Sequence, residues 1–466
     1  MIILFLIVTF PLSILSICWP PTLQICSNET LLLNVSITTD EPIFISSMMI
    51  VSKSEINIIS STNITFVNLT IIMLYLNIES PLIIIKDSQL SSNASIALGL
   101  GHNPSNLQQQ GNAYAAIGSM CVRWGGMEDL TYGRNCWTVN ESRLEKRERM
   151  RGSGGENEKE YGGGTIIIYA INALYLSNVT ITSSGAPFPS SSSPCTSSAD
   201  FLISSIVFGG SGGLILIQTT FLLPFSNLPI SILLFLSSLL PSSSLPHSPL
   251  STQPLSNRLL VEGGGYCLNG QGGSGGRINI VSQNTTKEIE NFFEFSTKGG
   301  GSLDGSWELC SNGGSGTICF HTLTENEGGR EESGRMMERG RSNKERLLEE
   351  RKWRKEESGK REKKREEEGG KRKRRMVEEG REGRILKIDG KGFVTGTPTI
   401  ISMEDSEEID QVFVQNMGYL SVNSNLQANI RIKRIIFRDS FFENFVQVKD
   451  NAPVAISIDE IFTQNS

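Results

Sequence analysis

Gly270, Gly272 and Gly275, within NGQGGSGGRINI, satisfy the spacing G-x-G-x-x-G. In a dinucleotide-binding turn that spacing lets backbone approach a pyrophosphate held at a helix N-terminus. The chemistry requires a helix to begin at the last glycine. The chain continues instead as RINIVSQN, which alternates with period two, so the residues predict a bend feeding a strand and no bound nucleotide. The only histidines are His102, His247 and His321, far apart in the chain and without H-x-x-x-H spacing. No phosphate loop and no nucleophile elbow are read, and the lack of a C-x-x-C pair argues against a zinc ribbon.

Carboxylates are the remaining source of acid–base chemistry. The candidates are Asp87 and Asp439, both followed by serine in a shared D-S bend, with Asp389, Asp410 and the cluster EDSEEID from Glu404. Cleavage of a polysaccharide needs two carboxyls at a set separation on one face. Their scatter, and the recurrence of D-S as a structural unit, favour solvated bends. The expectation is therefore no catalytic, cofactor-binding or metal residue and no cofactor.

The elements that would position these residues are repeats. Four glycine boxes, GGGTIIIYA from Gly162, GGSGGLILI from Gly209, GGSGGRINI from Gly272 and GGSGTICF from Gly313, each lead into a short β-branched run. That order predicts a turn followed by a strand. ITFVNLTI from Ile64 matches LYLSNVTI from Leu174, and IIKDSQL from Ile84 matches IFRDSFF from Ile436. Near the C-terminus the apolar runs at Val412, Ile435 and Ala455 recur after 23 and 20 residues. Such periods suit a parallel β-helix, whose turns stack and bury a column of Ile, Val, Leu and Phe. Asn68 and Asn178 would occupy bends, satisfying backbone groups and stacking with equivalents above and below. The fold class expected is all-β: a parallel β-helix or solenoid with glycine-rich turns, interrupted by low-complexity insertions.

Composition points to export. The N-terminal MIILFLIVTFPLSILSICWPP reads as a signal peptide over 1–18, with retention as a membrane anchor the alternative. Eight N-x-[ST] acceptors are present, at Asn28, Asn34, Asn63, Asn68, Asn93, Asn140, Asn178 and Asn284. Of eight cysteines, Cys121 with Cys136 and Cys310 with Cys319 are close enough to pair across a loop, with connectivity left open by spacing. The chain ends on polar IFTQNS, which fits either a released protein or one cut before an anchor.

The net charge of −6 conceals opposed parts: 328–384 carries 22 Lys or Arg against 15 Glu, so the rest is acidic. An acidic body with one mixed-charge tract argues against a nucleic-acid partner. In that tract 46 of 57 residues are Arg, Lys, Glu or Gly, with purine-only codons, while 30 of 36 over 221–256 are Ser, Leu, Pro or Phe, with pyrimidine-only codons. These tracts, and the charged stretch after Asn140, read as translated low-complexity nucleic acid, either repeat insertions or unspliced introns. The apolar segment 221–240 is long enough to test as a membrane span, though its prolines weaken it. The organisation expected is signal 1–18, N-terminal coils 19–137, a charged insertion 138–161, a glycine-rich solenoid 162–220, and a Ser/Leu/Pro insertion 221–257. A second glycine-rich solenoid 258–323, a disordered charged tract 324–384 and C-terminal coils 385–466 complete it.

The boxes GGSGGLILI, GGSGGRINI and GGSGTICF, with STKGGGSLDGS between them, resemble the glycine-rich exported or surface proteins of protists, plants and oomycetes. The flanking repeats resemble right-handed β-helix, or pectin-lyase-like, domains. Asp304 in GGSLDGS resembles one copy of a calcium-binding glycine repeat, without the stacked partners such a site needs. The resemblance implies a secreted or cell-surface address and a structural or adhesion role, with glycans or other surface proteins as partners. An extracellular carbohydrate-active enzyme is the alternative, and a membrane-anchored protein, held through 221–240 or an uncleaved signal, the third reading.

Overall fold

The computed structural model describes residues 35–52, 55–92, 114, 133–154, 162–185, 209–224, 227–228, 257–264, 272–301, 313–323, 383–391, 399–401, 408–422, 430–438 and 456–464. They are mostly strands in one largely parallel sheet, so the all-β expectation holds.

The first strands are β1 (Val35–Thr39), β2 (Ile43–Val51), β3 (Glu55–Ser60), β4 (Asn63–Met73) and β5 (Tyr75–Ser92). β1 pairs with β3 and β2 with β4, both parallel. β5 is 18 residues long and pairs in parallel with β3 along its first part and with β4 along the rest. β6 (Thr165–Thr182) then pairs with β5 over nearly its whole length. The register joins Ile56, Leu76 and Ile166 in one row, continued by Ile215 and Ile278 of later strands, all buried. Full burial of such side chains stabilises by about 1.5–3 kcal/mol each.

β7 (Leu214–Pro224), β9 (Arg277–Ser282) and β11 (Thr317–Thr322) carry the sheet onward, with β8 (Asn257–Leu260) and β10 (Phe293–Ser296) as a spur from the far end of β6. β6, β7, β9 and β11 each start directly after a glycine box, the order the residues predict. The boxes are themselves bonded: Gly163 N donates to Ser211 O, Gly212 N to Ser274 O and Gly275 N to Gly314 O, at 2.8–2.9 Å. Among the described glycines only Gly133 has a left-handed φ, +75°. The boxes need glycine for space: a Cβ on Gly213 or Gly276 would stand under 3.0 Å from a carbonyl oxygen of the adjacent box.

The bends of the early strands use another device. Ser47, Asn68, Asp87 and Asn178 fall in one register row and all adopt left-handed φ, 48–54°. Asn68 Nδ2 donates to Ser47 Oγ at 3.4 Å, and Asn178 Nδ2 to Asp87 Oδ1 at 2.9 Å. The expected stacking of Asn68 and Asn178 at bends is therefore observed, with Ser and Asp sharing the row.

The Ser/Leu/Pro tract enters at this same row. Leu176 pairs with Pro224, whereas Thr180 pairs with Arg258. Leu214 to Arg258 takes 44 residues where Thr165 to Thr180 takes 15, an excess of 29. The boundary at 221 is corrected: residues 221–224 belong to β7, and Asn257 opens β8. Leu228 packs on Ile84 and Tyr175. A membrane helix starting at Phe221 is incompatible with these strand residues; apart from 227–228, the rest of 225–240 lies outside the described residues. No helix among the described residues is long and apolar enough to cross a membrane.

The charged insertion at 138–161 also needs correction, because 138–154 is packed structure. Helix α1 (Val139–Leu144) opens with a capping box formed by Thr138 and Glu141, and a 3-10 turn comes next at Arg147–Met150. With Tyr114 and 133–137 this segment forms a strap over the outer face of the sheet. Its anchors progress along the strands: Cys136 to Cys319 of β11, the Arg134 carbonyl to Arg277 of β9, Val139 N to Gln218 of β7, Arg143 to Glu79 of β5, and Arg147 to Glu55 of β3. Repetition in composition concealed a specific set of partners. The disulfide spans 183 residues and replaces the two local pairings weighed from spacing. Cys121 and Cys310 lie outside the described residues.

β12 (Arg384–Asp389) pairs antiparallel with β11, and β14 (Glu408–Gln415), β16 (Ile430–Arg438) and β17 (Ile456–Gln464) continue in parallel. β13 (Thr399–Ile401) and β15 (Leu420–Val422) form a separate pair. Val412 aligns with Ile435 at the expected 23 residues, but Ile435 aligns with Ile461, so the next offset is 26 rather than 20. Of the charged tract expected over 324–384, residues 324–382 lie outside the described residues, and its end is corrected because Arg384 opens β12.

Candidate functional site

Where the spur approaches the antiparallel joint, a groove of about 500 Å³ opens between helix α2 (Thr286–Phe292), β10, β11 and β12. Thr285 and Glu288 form a capping box that starts α2: Thr285 Oγ1 accepts from Glu288 N, and Glu288 Oε2 accepts from Thr285 N. The helix brings Glu290 to the groove, β10 contributes Glu294, and β12 contributes Lys387 and Asp389. An aromatic file descends from this wall into the core, with ring centroids 5.0 Å apart for Phe292 and Phe293, 5.6 Å for Phe293 and Phe295, and 5.8 Å for Phe295 and Phe320.

Three carboxylates thus meet one groove, the convergence that an acid–base pair would require. Each is already engaged. Glu290 pairs with Lys387 Nζ at 2.8 Å and Glu294 with Arg258 Nε at 3.0 Å. Asp389 is buried and accepts from Lys391 N at 3.0 Å, Gln415 Nε2 at 2.9 Å and Asn416 Nδ2 at 2.8 Å. Those bonds hold the left-handed bends at Lys391 and Asn416, so Asp389 is a structural brace. The groove offers a mixed-charge rim and the half-buried Phe292 ring, which suits contact with a polar ligand better than proton transfer.

The other sequence candidates do not join this groove. Asp87 sits in the bend row with Asn178, and Asp410 accepts from Arg384 N and pairs with Lys433. Of EDSEEID only Glu408, Ile409 and Asp410 are described; Asp439, Asp304, His102 and His247 lie outside. His321, next to last in β11, lies opposite Arg384. Among the described residues no three potential ligands gather around a metal position. Of the glycosylation acceptors, Asn68, Asn140 and Asn178 are exposed, Asn63 is half-buried, and Asn284 accepts from Leu222 N at 2.7 Å. Asn28, Asn34 and Asn93 lie outside the described residues.

The expectation of no nucleophile elbow overlooked two matches, since GGSGG at Gly209 and at Gly272 spells G-x-S-x-G. Neither serine is a nucleophile. Ser211 Oγ is buried between the N–H and carbonyl of Ser153, and Ser274 Oγ accepts from Tyr114 N at 2.9 Å. The dinucleotide reading fails on the same ground, because β9 rather than a helix begins after Gly276 and neighbouring backbone fills the space a phosphate would need. The strap and α2 were not expected from the sequence, although the strap's helix α1 and α2 each begin with a legible T-x-x-E capping signal, at Thr138 and Thr285.

Comparison of the chain with protein-family models, with curated proteins and with solved structures finds no match in any of the three.

Proposed function

We propose that this is an exported, non-catalytic parallel β-helical protein of a cell surface or wall, displaying its grooves and loops to glycans or other surface proteins. One observation carries the architecture. β4 ends at Met73 and β5 begins at Tyr75, yet the two lie side by side in parallel with Asn63 opposite Leu82. A straight strand of β5's length would run about 60 Å, whereas the single linking residue reaches less than about 10 Å. A coil in which each level turns back on itself before the next begins accounts for both lengths, with the left-handed row at Ser47, Asn68, Asp87 and Asn178 as one such corner. The disulfide and the exposed acceptors at Asn68, Asn140 and Asn178 suit an oxidising, glycosylating route.

The enzymatic alternative draws on the convergence of Glu290, Glu294 and Asp389, and is weakened by the partners each already holds. Incubating the full chain with pectic, glucan and chitin polymers tests both readings. Retention on a polymer without new chain ends supports display. Release of reducing ends or unsaturated uronates, lost on Glu290→Gln or Glu294→Gln, would make it an enzyme. Antibody labelling of intact against permeabilised cells tests the surface address.

A further inference from the structure

We propose that the sheet face beneath the strap binds one small monovalent anion of halide size, held by the guanidinium of Arg277. Arg277 opens β9 and is wholly buried, at 0% exposure. Its Nη1 donates to the Arg134 carbonyl at 2.8 Å, and its guanidinium carbon lies 4.7 Å from the Tyr114 ring centroid. Among the described residues its Nε and Nη2 have no hydrogen-bond partner, and no carboxylate pairs with it. A carbonyl and a ring satisfy one edge of the cation without neutralising it.

A buried cation without a counter-charge is strongly unfavourable, and a protein retains one only where something compensates it. Nε–H and Nη2–H project from one edge of the guanidinium, the fork that receives an anion in two parallel bonds. Among the described residues the surroundings add donors rather than negative charge. Leu214 neighbours Arg277 in the register row, and Asn279, two residues on and 1% exposed, leaves both amide atoms unpartnered. The Trp137 Nε1 of the strap is likewise buried and without a partner among the described residues.

Size selects the ligand. A Cβ on Gly133 would stand 2.8 Å from Arg277 Nη1 and 2.6 Å from the Arg149 carbonyl oxygen, so the strap closes tightly here. Tyr114 and Trp137, at 0% and 1% exposure, also cover the site among the described residues. A nucleotide, sugar acid or peptide carboxylate would need an open side for the remainder of its structure. A bare halide needs none and would be enclosed as the strap docks.

The test uses the full, oxidised chain. Thermal unfolding is followed at constant ionic strength while chloride replaces isethionate, an anion too bulky for the site. The expected result is a midpoint that rises by about 2–4 °C for each tenfold increase in chloride above the dissociation constant. Crystals grown in bromide should show an anomalous peak against Nε and Nη2 of Arg277, a readout independent of any variant. Arg277→Met, where it folds, should lose the chloride dependence. Equal midpoints in the two salts, no bromide peak, or a chloride effect that persists in Arg277→Met would overturn the proposal.

Discussion

The strands before the glycine boxes and those after them continue one largely parallel sheet, yet they solve its two packing problems differently. In β3 and β5 burial alternates, so Glu55, Asn57, Tyr75, Asn77 and Glu79 remain half-exposed. In the same register row of β6, β7 and β9 stand Thr165, Leu214 and Arg277, all buried, because the strap covers that outer face. Strands buried on both sides read as continuous apolar runs, which is why TIIIYA and LILI lack the alternation of EINIIS. The corners differ as well. The early strands turn through left-handed Ser, Asn and Asp joined by side-chain bonds, whereas the later ones approach through glycines whose backbones touch. A side chain stabilises the first kind of corner, and the absence of one permits the second.

The largest effect should come from adding one carbon to a box. Gly213→Ala drives a Cβ into the Gly164 carbonyl oxygen and the Ser183 hydroxyl, and should cost about 3 kcal/mol or more in chemical denaturation. A neutral outcome would erase the distinction between the two kinds of corner. Next in size is the strap's covalent anchor. Reduction, or Cys136→Ser with Cys319→Ser, should lower stability by about 2–5 kcal/mol, and hydrogen exchange over 133–154 should rise while β3 and β5 change little.

The bend row gives a smaller and opposite signature. Asn178→Ala should cost about 1–2 kcal/mol through its left-handed φ and the lost bond to Asp87, whereas Asn178→Gly should recover most of that loss. Glycine would thus be tolerated in the early corners although alanine is excluded from the late ones. The smallest effect belongs to the strap's charged end. Arg143 pairs with Glu79 at 2.7 Å and is partly exposed, so Arg143→Ala should cost about 0.2–1 kcal/mol, less in high salt.

Tyr75 adds a pH signature at that end. Burial pushes its hydroxyl up to about 12, against a smaller downward pull from Arg143. The unfolded chain loses this proton first, so the stabilisation is complete below pH about 10 and declines as pH rises toward 12. Tyr75→Phe should flatten that decline in unfolding measured between pH 9 and 12.

Much of this contrast is local and therefore legible along the chain. A glycine box before RINI or LILI predicts a strand because nothing in those residues has helical periodicity, and the N-[LV]-T-I repeat marks the bends at Asn68 and Asn178 because short amides tolerate left-handed φ. The boundary at Phe221 was misplaced because composition is read over windows, whereas a strand ends where pairing ends, at Pro224. The charged residues after Asn140 looked interchangeable by composition, but Arg143 and Arg147 face Tyr169, Tyr75 and two glutamates.

The sequence by itself determined the strand content, the glycine-to-strand junctions and the residue types at the early corners, since each arises from backbone preference within a few neighbouring residues. Tertiary structure alone decided the Cys136–Cys319 bond, the antiparallel pairing of β11 with β12, the meeting of Glu290, Glu294 and Asp389, and the burial of Arg277. Each of those depends on segments tens to hundreds of residues apart occupying the same few ångströms. Spacing along a chain carries no record of such a meeting until the sheet and its strap have packed.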